Sequence, residues 1–85
     1  MLPLNQFKRF DARDLIRKGI EPFSEIRKRV DALKSDEGLI VVAPFLPSPL
    51  IEILTGEGFD SKVERGKGSD WIVYLSQQAQ GLFQA

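Results

Sequence analysis

The chain has 85 residues, which is enough for one domain with a single core and too few for two. It contains no cysteine and no histidine, which excludes thiolate nucleophiles, disulfides, thiolate metal sites and imidazole proton transfer. Its 12 Lys and Arg balance 12 Asp and Glu, and no apolar run is long enough to cross a bilayer.

The first half of the chain predicts a strand, a polar connection and a helix. Residues 7–11 read as a short strand and residues 12–20 as the polar connection. Pro22 suits the first position of a helix, with Glu21 before it as a carboxylate near the positive end of the helix dipole. Apolar residues then recur at spacings of three and four and define one buried helix face: Phe23, Ile26, Val30 and Leu33.

The second half predicts a strand, a helix and a hairpin. Residues 39–43 form a continuous apolar run typical of a strand buried on both faces. Three prolines stiffen residues 44–49, and Ser48 is expected to cap a second helix. The buried face of that helix is predicted from four residues: Leu50, Ile51, Ile53 and Leu54. A weak strand over 61–65, a turn and a strong strand over 70–75 follow.

These elements predict one α/β (α+β) domain over residues 1–85, with a core of about residues 7–76 and a tail over 77–85. The element order is β-α-β-α-β-β in a two-layer sandwich. Right-handed crossovers place both helices on one face of a four-stranded mixed sheet. Strands two and four are apolar on both sides and strands one and three are charged, which favours the strand order 1-2-4-3.

A two-layer domain leaves one face of its sheet open. We expect Ile40, Val42, Ile72 and Tyr74 to be exposed there, and an apolar patch of this kind is usually covered. The cover is predicted to be a second copy of the chain, giving a homodimer, or the apolar residues of the terminal segments: Leu2, Leu4, Leu82 and Phe83.

Two segments of the chain resemble a known superfamily. Residues 10–15, Phe-Asp-Ala-Arg-Asp-Leu, followed by Glu21-Pro22-Phe23, resemble the start of TusA/SirA-like proteins, in which Asp-Ala-Arg-Gly-Leu leads to Cys-Pro-x-Pro at the start of a helix. Residues 43–50, Ala-Pro-Phe-Leu-Pro-Ser-Pro-Leu, look more like a branch known only as a domain of unknown function, which often lacks the cysteine. The resemblance covers about residues 7–76 and implies the same sandwich.

The chain departs from the sulfur carriers of that superfamily in three places. Asp14 replaces a glycine, residues 16–20 are longer than their counterpart, and the cysteine that bears the persulfide is missing. The sulfur relay is therefore not carried over to this chain.

Ligands of open parallel sheets favour the crevice at the carboxyl ends of the strands. That edge, with both helix N-termini, is predicted to bind a small anion or a partner protein. The candidate residues are Asp11, Arg13, Arg17, Lys18, Glu21, Pro22, Pro44, Phe45, Pro47 and Ser48. Most of them have a structural alternative. Asp11 caps or pairs with Arg13, the prolines only shape a turn, Arg17 and Lys18 are solvated, and Phe45 is a buried staple, the ordinary interpretation.

The leading hypothesis is a non-catalytic binding domain without a cofactor or a metal. Nucleic-acid binding is the alternative, because a translation initiation factor shares this fold and residues 27–29 are Arg-Lys-Arg, but a net charge of zero argues against it. A carboxylate enzyme using Asp11 and Glu21 is a third and weaker hypothesis. Residues 1–6 lack the pattern of a signal peptide, so we expect a cytoplasmic protein.

Overall fold

The computed structural model describes residues 3–77. A single 3-10 turn, Leu4–Gln6, precedes the first strand. The remaining elements in chain order are β1 (Phe7–Asp11), α1 (Arg13–Arg17), α2 (Phe23–Asp31), β2 (Gly38–Ala43), α3 (Ser48–Gly56), β3 (Phe59–Arg65) and β4 (Trp71–Gln77).

The four strands form one mixed sheet in the order β1-β2-β4-β3, which confirms the predicted topology. β1 pairs with β2 in parallel, and β4 is antiparallel to both β2 and β3. Val41 of β2 lies opposite Phe10 on one side and Val73 on the other, so the apolar strands are central. The charged strands β1 and β3 lie at the edges, where water can reach their side chains.

The core lies between the helices and one face of the sheet. Ile26 and Val30 of α2 and Leu50 and Leu54 of α3 belong to the same buried cluster, so both helices cover the same sheet face, as predicted. The sheet and the segments beside it complete this cluster with Phe10, Ala12, Leu39, Val41, Phe59, Val73 and Leu75. Burial of such side chains contributes roughly 1.5–3 kcal/mol each, which makes this layer the main source of stability.

Two local predictions about the helices were wrong. Residues 13–17 form the short helix α1 rather than an irregular connection, because Leu15 and Ile16 pack against the core. Ile53 was expected on the buried face of α3 but is 56% exposed, since Leu50 and Leu54 lie one turn apart toward the sheet and Ile53 turns away from them.

The start of α3 also differs from expectation. Ser48 is the first residue of the helix rather than its cap, and Pro47, which precedes it, makes no side-chain capping bond. Pro49 lies in the first turn, where its missing N–H is not needed. The prolines therefore define where this helix begins without help from the Ser48 hydroxyl.

The open face of the sheet is less exposed than its sequence suggests. Val42 is buried, and Ile40, Ile72 and Tyr74 are half-buried. The prediction that these four residues are exposed was therefore wrong. One reason is that the Phe7 ring packs edge-on against Tyr74, with 5.7 Å between ring centroids. Of the residues expected to cover this face, Leu4 is 66% exposed. The others, Leu2, Leu82 and Phe83, lie outside the described residues.

Candidate functional site

One edge of the sheet gathers most of the residues that the sequence singled out. β1 ends at Asp11 and β2 ends at Ala43, and parallel neighbours end on the same side. β4 runs the other way, so the turn from β3 to β4 also lies there. We call this region the strand-end edge and define it by residues 11–13, 44–48 and 66–70.

Asp11, Arg13 and Asp70 form an ion cluster at the strand-end edge. The Arg13 guanidinium donates to both carboxylate oxygens of Asp11, from Nε at 2.8 Å and from Nη2 at 2.6 Å. Its Nη1 donates to Asp70 Oδ2 at 2.6 Å, and the Arg13 backbone N–H donates to Asp11 Oδ1 at 3.0 Å. The side-chain pairing of Asp11 with Arg13 is thus present, and three guanidinium nitrogens already have carboxylate partners.

The same contacts determine the protonation of this cluster. Hydrogen bonds from Arg13 outweigh partial burial and lower the pKa of Asp11 to about 2. Hydrogen bonds from Asp11 and Asp70 raise the pKa of Arg13 above its ordinary value. A general base works best with a pKa near the operating pH, so Asp11 is poorly suited to proton transfer at neutral pH.

Glu21 has a structural contact at the start of α2. Its carboxylate accepts hydrogen bonds from the Phe23 backbone N–H at 2.5 Å and from the Ser24 backbone N–H and hydroxyl at 3.1 and 2.9 Å. Partial burial raises the pKa of Glu21, but these hydrogen bonds from Ser24 and Phe23 leave it below its ordinary value. Pro22, half-buried, immediately precedes the helix and is not its first residue, as had been predicted, because α2 begins at Phe23. Glu21 therefore caps a helix and makes no hydrogen bond with Asp11 among the described residues.

Arg17 and Lys18 lie at the end of α1 and are exposed. Arg17 forms an ion pair with Asp14 on the same helix, and its side chain is 71% exposed. Lys18 follows as the residue after the helix. Neither residue contacts the Arg13 cluster through an ion pair within residues 3–77. That Arg13, Arg17 and Lys18 clamp one anion stays a prediction from the sequence.

The proline loop over residues 44–48 presents apolar side chains to solvent. Phe45 is 41% exposed and Leu46 is 37% exposed, whereas Pro47 is buried and Pro44 is half-buried. The interpretation of Phe45 as a buried staple was therefore wrong. Pro47 takes the buried position before α3, and the stiff backbone between the prolines leaves Phe45 and Leu46 outside.

A cleft on the open sheet face reaches the same edge and was missed by the sequence reasoning. It has a volume of about 260 Å³ and is lined by Arg9, Arg13, Val42, Gly66, Lys67, Asp70 and Ile72. Arg9, Val42 and Ile72 share the open face because side chains alternate along a strand. That alternation, combined with the strand register, is the signal from which the proximity of Arg9 and Val42 could have been predicted.

The basic run over residues 27–29 is already paired with acidic groups. Arg27 donates to Asp31 at 2.7 Å and contacts Glu57 at 2.8 Å. Arg29 donates to Glu25 at 2.9 Å, and Lys28 lies 3.7 Å from the other oxygen of Glu25. Arg29 also stacks 4.2 Å over the centroid of the Phe10 ring. This surface is therefore a network of ion pairs rather than a row of free cations.

Comparison with known proteins identifies the family. Residues 9–77 match the family described as "Uncharacterized conserved protein (DUF2249)". The chain belongs to this family. No curated protein and no solved structure matches it. The DUF2249 description does not mention sulfur carriers, so the relationship to TusA/SirA-like proteins stays a prediction from the sequence motifs.

The described part of this DUF2249 domain has neither a membrane-spanning helix nor a carboxylate metal site. Among residues 3–77, none of the helices has the length and apolar character that a membrane crossing requires. In the same residues there is no group of three or more acidic side chains arranged to hold a metal ion. The site therefore has to be judged by its ion cluster, its proline loop and its cleft.

Proposed function

We propose that this DUF2249 domain is a non-catalytic interaction module that binds a partner protein through the proline loop of the strand-end edge. The observation that carries the proposal is the exposure of Phe45 and Leu46 between prolines whose own side chains are partly or fully buried. Aromatic residues such as Phe are enriched at protein interfaces, where a few anchoring side chains supply most of the binding energy. Because the loop is stiff, little conformational freedom is lost when a partner orders it.

A neighbouring segment adds to the apolar character of this edge. Ile20 is 49% exposed in the connection that leads into α2. In a parallel crossover the helix starts at the end where the first strand finishes, so Ile20 belongs to the same end of the domain as Phe45. We infer that Ile20 extends the docking surface beyond residues 44–48.

The ion cluster favours a protein partner over an anion held by Arg13. A guanidinium with hydrogen bonds to Asp11 and Asp70 would have to break one of them to clamp an anion in the same fork geometry. The cluster instead connects the end of β1 with the β3–β4 turn. A fixed edge of this kind suits a docking surface that changes little on binding.

The relationship to sulfur carriers is the second part of the proposal. In those proteins the reactive cysteine stands at the start of the first long helix, and the same edge docks partner enzymes. Here Lys18, Gly19 and Ile20 precede Glu21-Pro22, and the chain has no cysteine at all. We propose that the docking edge is retained while the sulfur chemistry is lost.

Site-specific photocross-linking in the protein's own cells tests the docking surface. A benzophenone amino acid replaces Phe45 in one variant and Val63 in the other. Val63 is a matched control because it is 38% exposed and lies in the middle of the edge strand β3. A discrete adduct with one protein at position 45, absent at position 63, is the expected result.

Other cross-linking results would point elsewhere. Equal adducts from both positions would show nonspecific contact and contradict the proposal. An adduct with a second copy of the chain at position 63 alone would favour self-association through β3 instead. The homodimer through the open sheet face, predicted from the sequence, would show twice the chain mass in solution without an adduct at position 45.

Nucleic-acid binding receives little support from the helix surface. Arg27, Lys28 and Arg29 would each have to leave an acidic partner before neutralising a phosphate. Affinity for nucleic acid comes mainly from cations that are free to neutralise phosphates. We therefore expect no gel shift with RNA or DNA at low salt.

A further inference from the structure

The cleft on the open sheet face has an apolar floor and a basic rim. Val42 and Ile72 come from the two central strands β2 and β4, where they lie opposite one another in the antiparallel register. Arg9 of β1 lies on one side of this floor, and Gly66 and Lys67 of the β3–β4 turn lie on the other. The cleft thus brings residues 9 and 67, far apart in sequence, to the two sides of a small apolar surface.

Some of the charged side chains that line the cleft have no oppositely charged partner among residues 3–77. Arg13 and Asp70, which complete the lining, are paired with each other. Arg9 and Lys67 form no ion pair with any residue in the range 3–77. Three cations therefore face one carboxylate in the lining, and two of the cations remain available.

We propose that this cleft is a binding site for a small monocarboxylate whose body is apolar. The carboxylate would lie between Arg9 and Lys67, and the apolar body would pack against the half-buried Ile72, beside the buried Val42. The volume of about 260 Å³ lies just below the roughly 300–1,000 Å³ of pockets for drug-sized ligands, so the ligand is of fragment size.

The lining also separates this ligand class from inorganic phosphate. Phosphate has no apolar part to pack against Ile72, so it gains nothing from the apolar floor of the cleft. A carboxylate carries one charge, and the remainder of the ligand gains from contact with the apolar floor. None of residues 44–48 lines the cleft, so this site can be tested independently of partner docking.

Benzoate is a suitable probe because it joins one carboxylate to one compact apolar ring. We expect saturable shifts of the NMR signals of Arg9, Val42, Lys67 and Ile72 when benzoate is titrated into the intact protein. Benzyl alcohol, with the same ring and no charge, and phosphate, with charge and no ring, should each bind at least about three-fold more weakly.

Charge variants test the rim of the cleft. Arg9→Gln and Lys67→Gln should each weaken benzoate binding about three-fold or more. Lys62→Gln is the matched control, because Lys62 lies on the same sheet face, opposite Tyr74, and outside the cleft lining. This control should leave the benzoate affinity unchanged.

Gly66→Ala tests the shape of the cleft without altering its charge. A methyl group at this position would lie 3.3 Å from Asp70 Cβ and 3.5 Å from Ile72 Cδ1, beside the floor. It should also weaken benzoate binding, while the NMR spectrum confirms that the variant is folded. The proposal is overturned if benzoate gives no saturable shifts, if phosphate binds as well as benzoate, or if Lys62→Gln weakens binding as much as Arg9→Gln.

Discussion

Arg13 and Asp70 are 57 residues apart in sequence, yet Arg13 Nη1 donates to Asp70 Oδ2 at 2.6 Å. Arg13 lies two residues after the end of the edge strand β1, and Asp70 directly precedes the central strand β4. Their contact therefore spans the end of β2, which lies between β1 and β4 in the sheet. The side chains are 37% and 20% exposed, so water screens the pair only in part.

A double-mutant cycle should detect this connection. Arg13→Gln and Asp70→Asn are expected to couple by about 1 kcal/mol in the free energy of unfolding, measured with urea. The matched control is the pair of Arg17 and Asp14, whose side chains are 71% and 70% exposed. The corresponding variants there should couple by about 0.3 kcal/mol or less. Equal coupling in the two cycles would show that the Arg13–Asp70 contact has no special role.

Acid should remove the contribution of Asp11 to stability. Hydrogen bonding to Arg13 lowers the pKa of Asp11 from 3.8 to about 2 in the folded protein. A carboxyl group with a depressed folded pKa stabilises the protein fully above its unfolded pKa, and this stabilisation is lost as the pH falls through the folded pKa.

Comparison of the wild type with Asp11→Asn tests the direction of this pH dependence of stability. At pH 7 the variant should be less stable by about 1 kcal/mol, an amount reduced for the partial exposure of the pair. The difference should shrink between about pH 4 and pH 2, as followed by urea unfolding at each pH. A difference that stays constant over that range would contradict the assignment.

Two glycines should respond in opposite directions to alanine. A Cβ at Gly38 would lie 2.5 Å from Phe7 Cε2 and 2.8 Å from the Leu75 carbonyl oxygen, whereas at Gly56 it would meet nothing within 4 Å. Gly38→Ala should therefore destabilise the protein by about 1–3 kcal/mol because β2 is overpacked. Gly56→Ala, at the end of α3, should stabilise it by up to about 1 kcal/mol. Thermal unfolding checks both, and similar effects from the two variants would contradict this packing.

Much of the fold follows from where charged and apolar residues fall. Residues 39–43 are apolar without alternation and residues 61–65 are almost entirely polar, which sorts central strands from edge strands. This contrast between apolar and polar strands was sufficient to predict the strand order. The helix α1 escaped prediction because five residues are too few to establish a helical period, and three of them are charged.

The candidate site was harder to predict than the fold. Pairing of Asp11 with Arg13 is a local contact and was considered from the sequence. The contact with Asp70 depends on the position of the distant β3–β4 turn in the folded chain. Whether Phe45 points inward or outward depends on which residue of the loop takes the buried position, and Pro47 takes it. The local sequence pattern does not indicate which residue of the proline loop is buried.

The affinity of the partner captured at position 45 tests the central claim most directly. Titration calorimetry would compare the wild type with Phe45→Ser and with the control Val63→Ser, both of which remove an exposed apolar side chain. Phe45→Ser should weaken binding at least about ten-fold, and Val63→Ser should leave it unchanged. An unchanged affinity for Phe45→Ser, or an equal loss for both variants, would contradict docking through the proline loop.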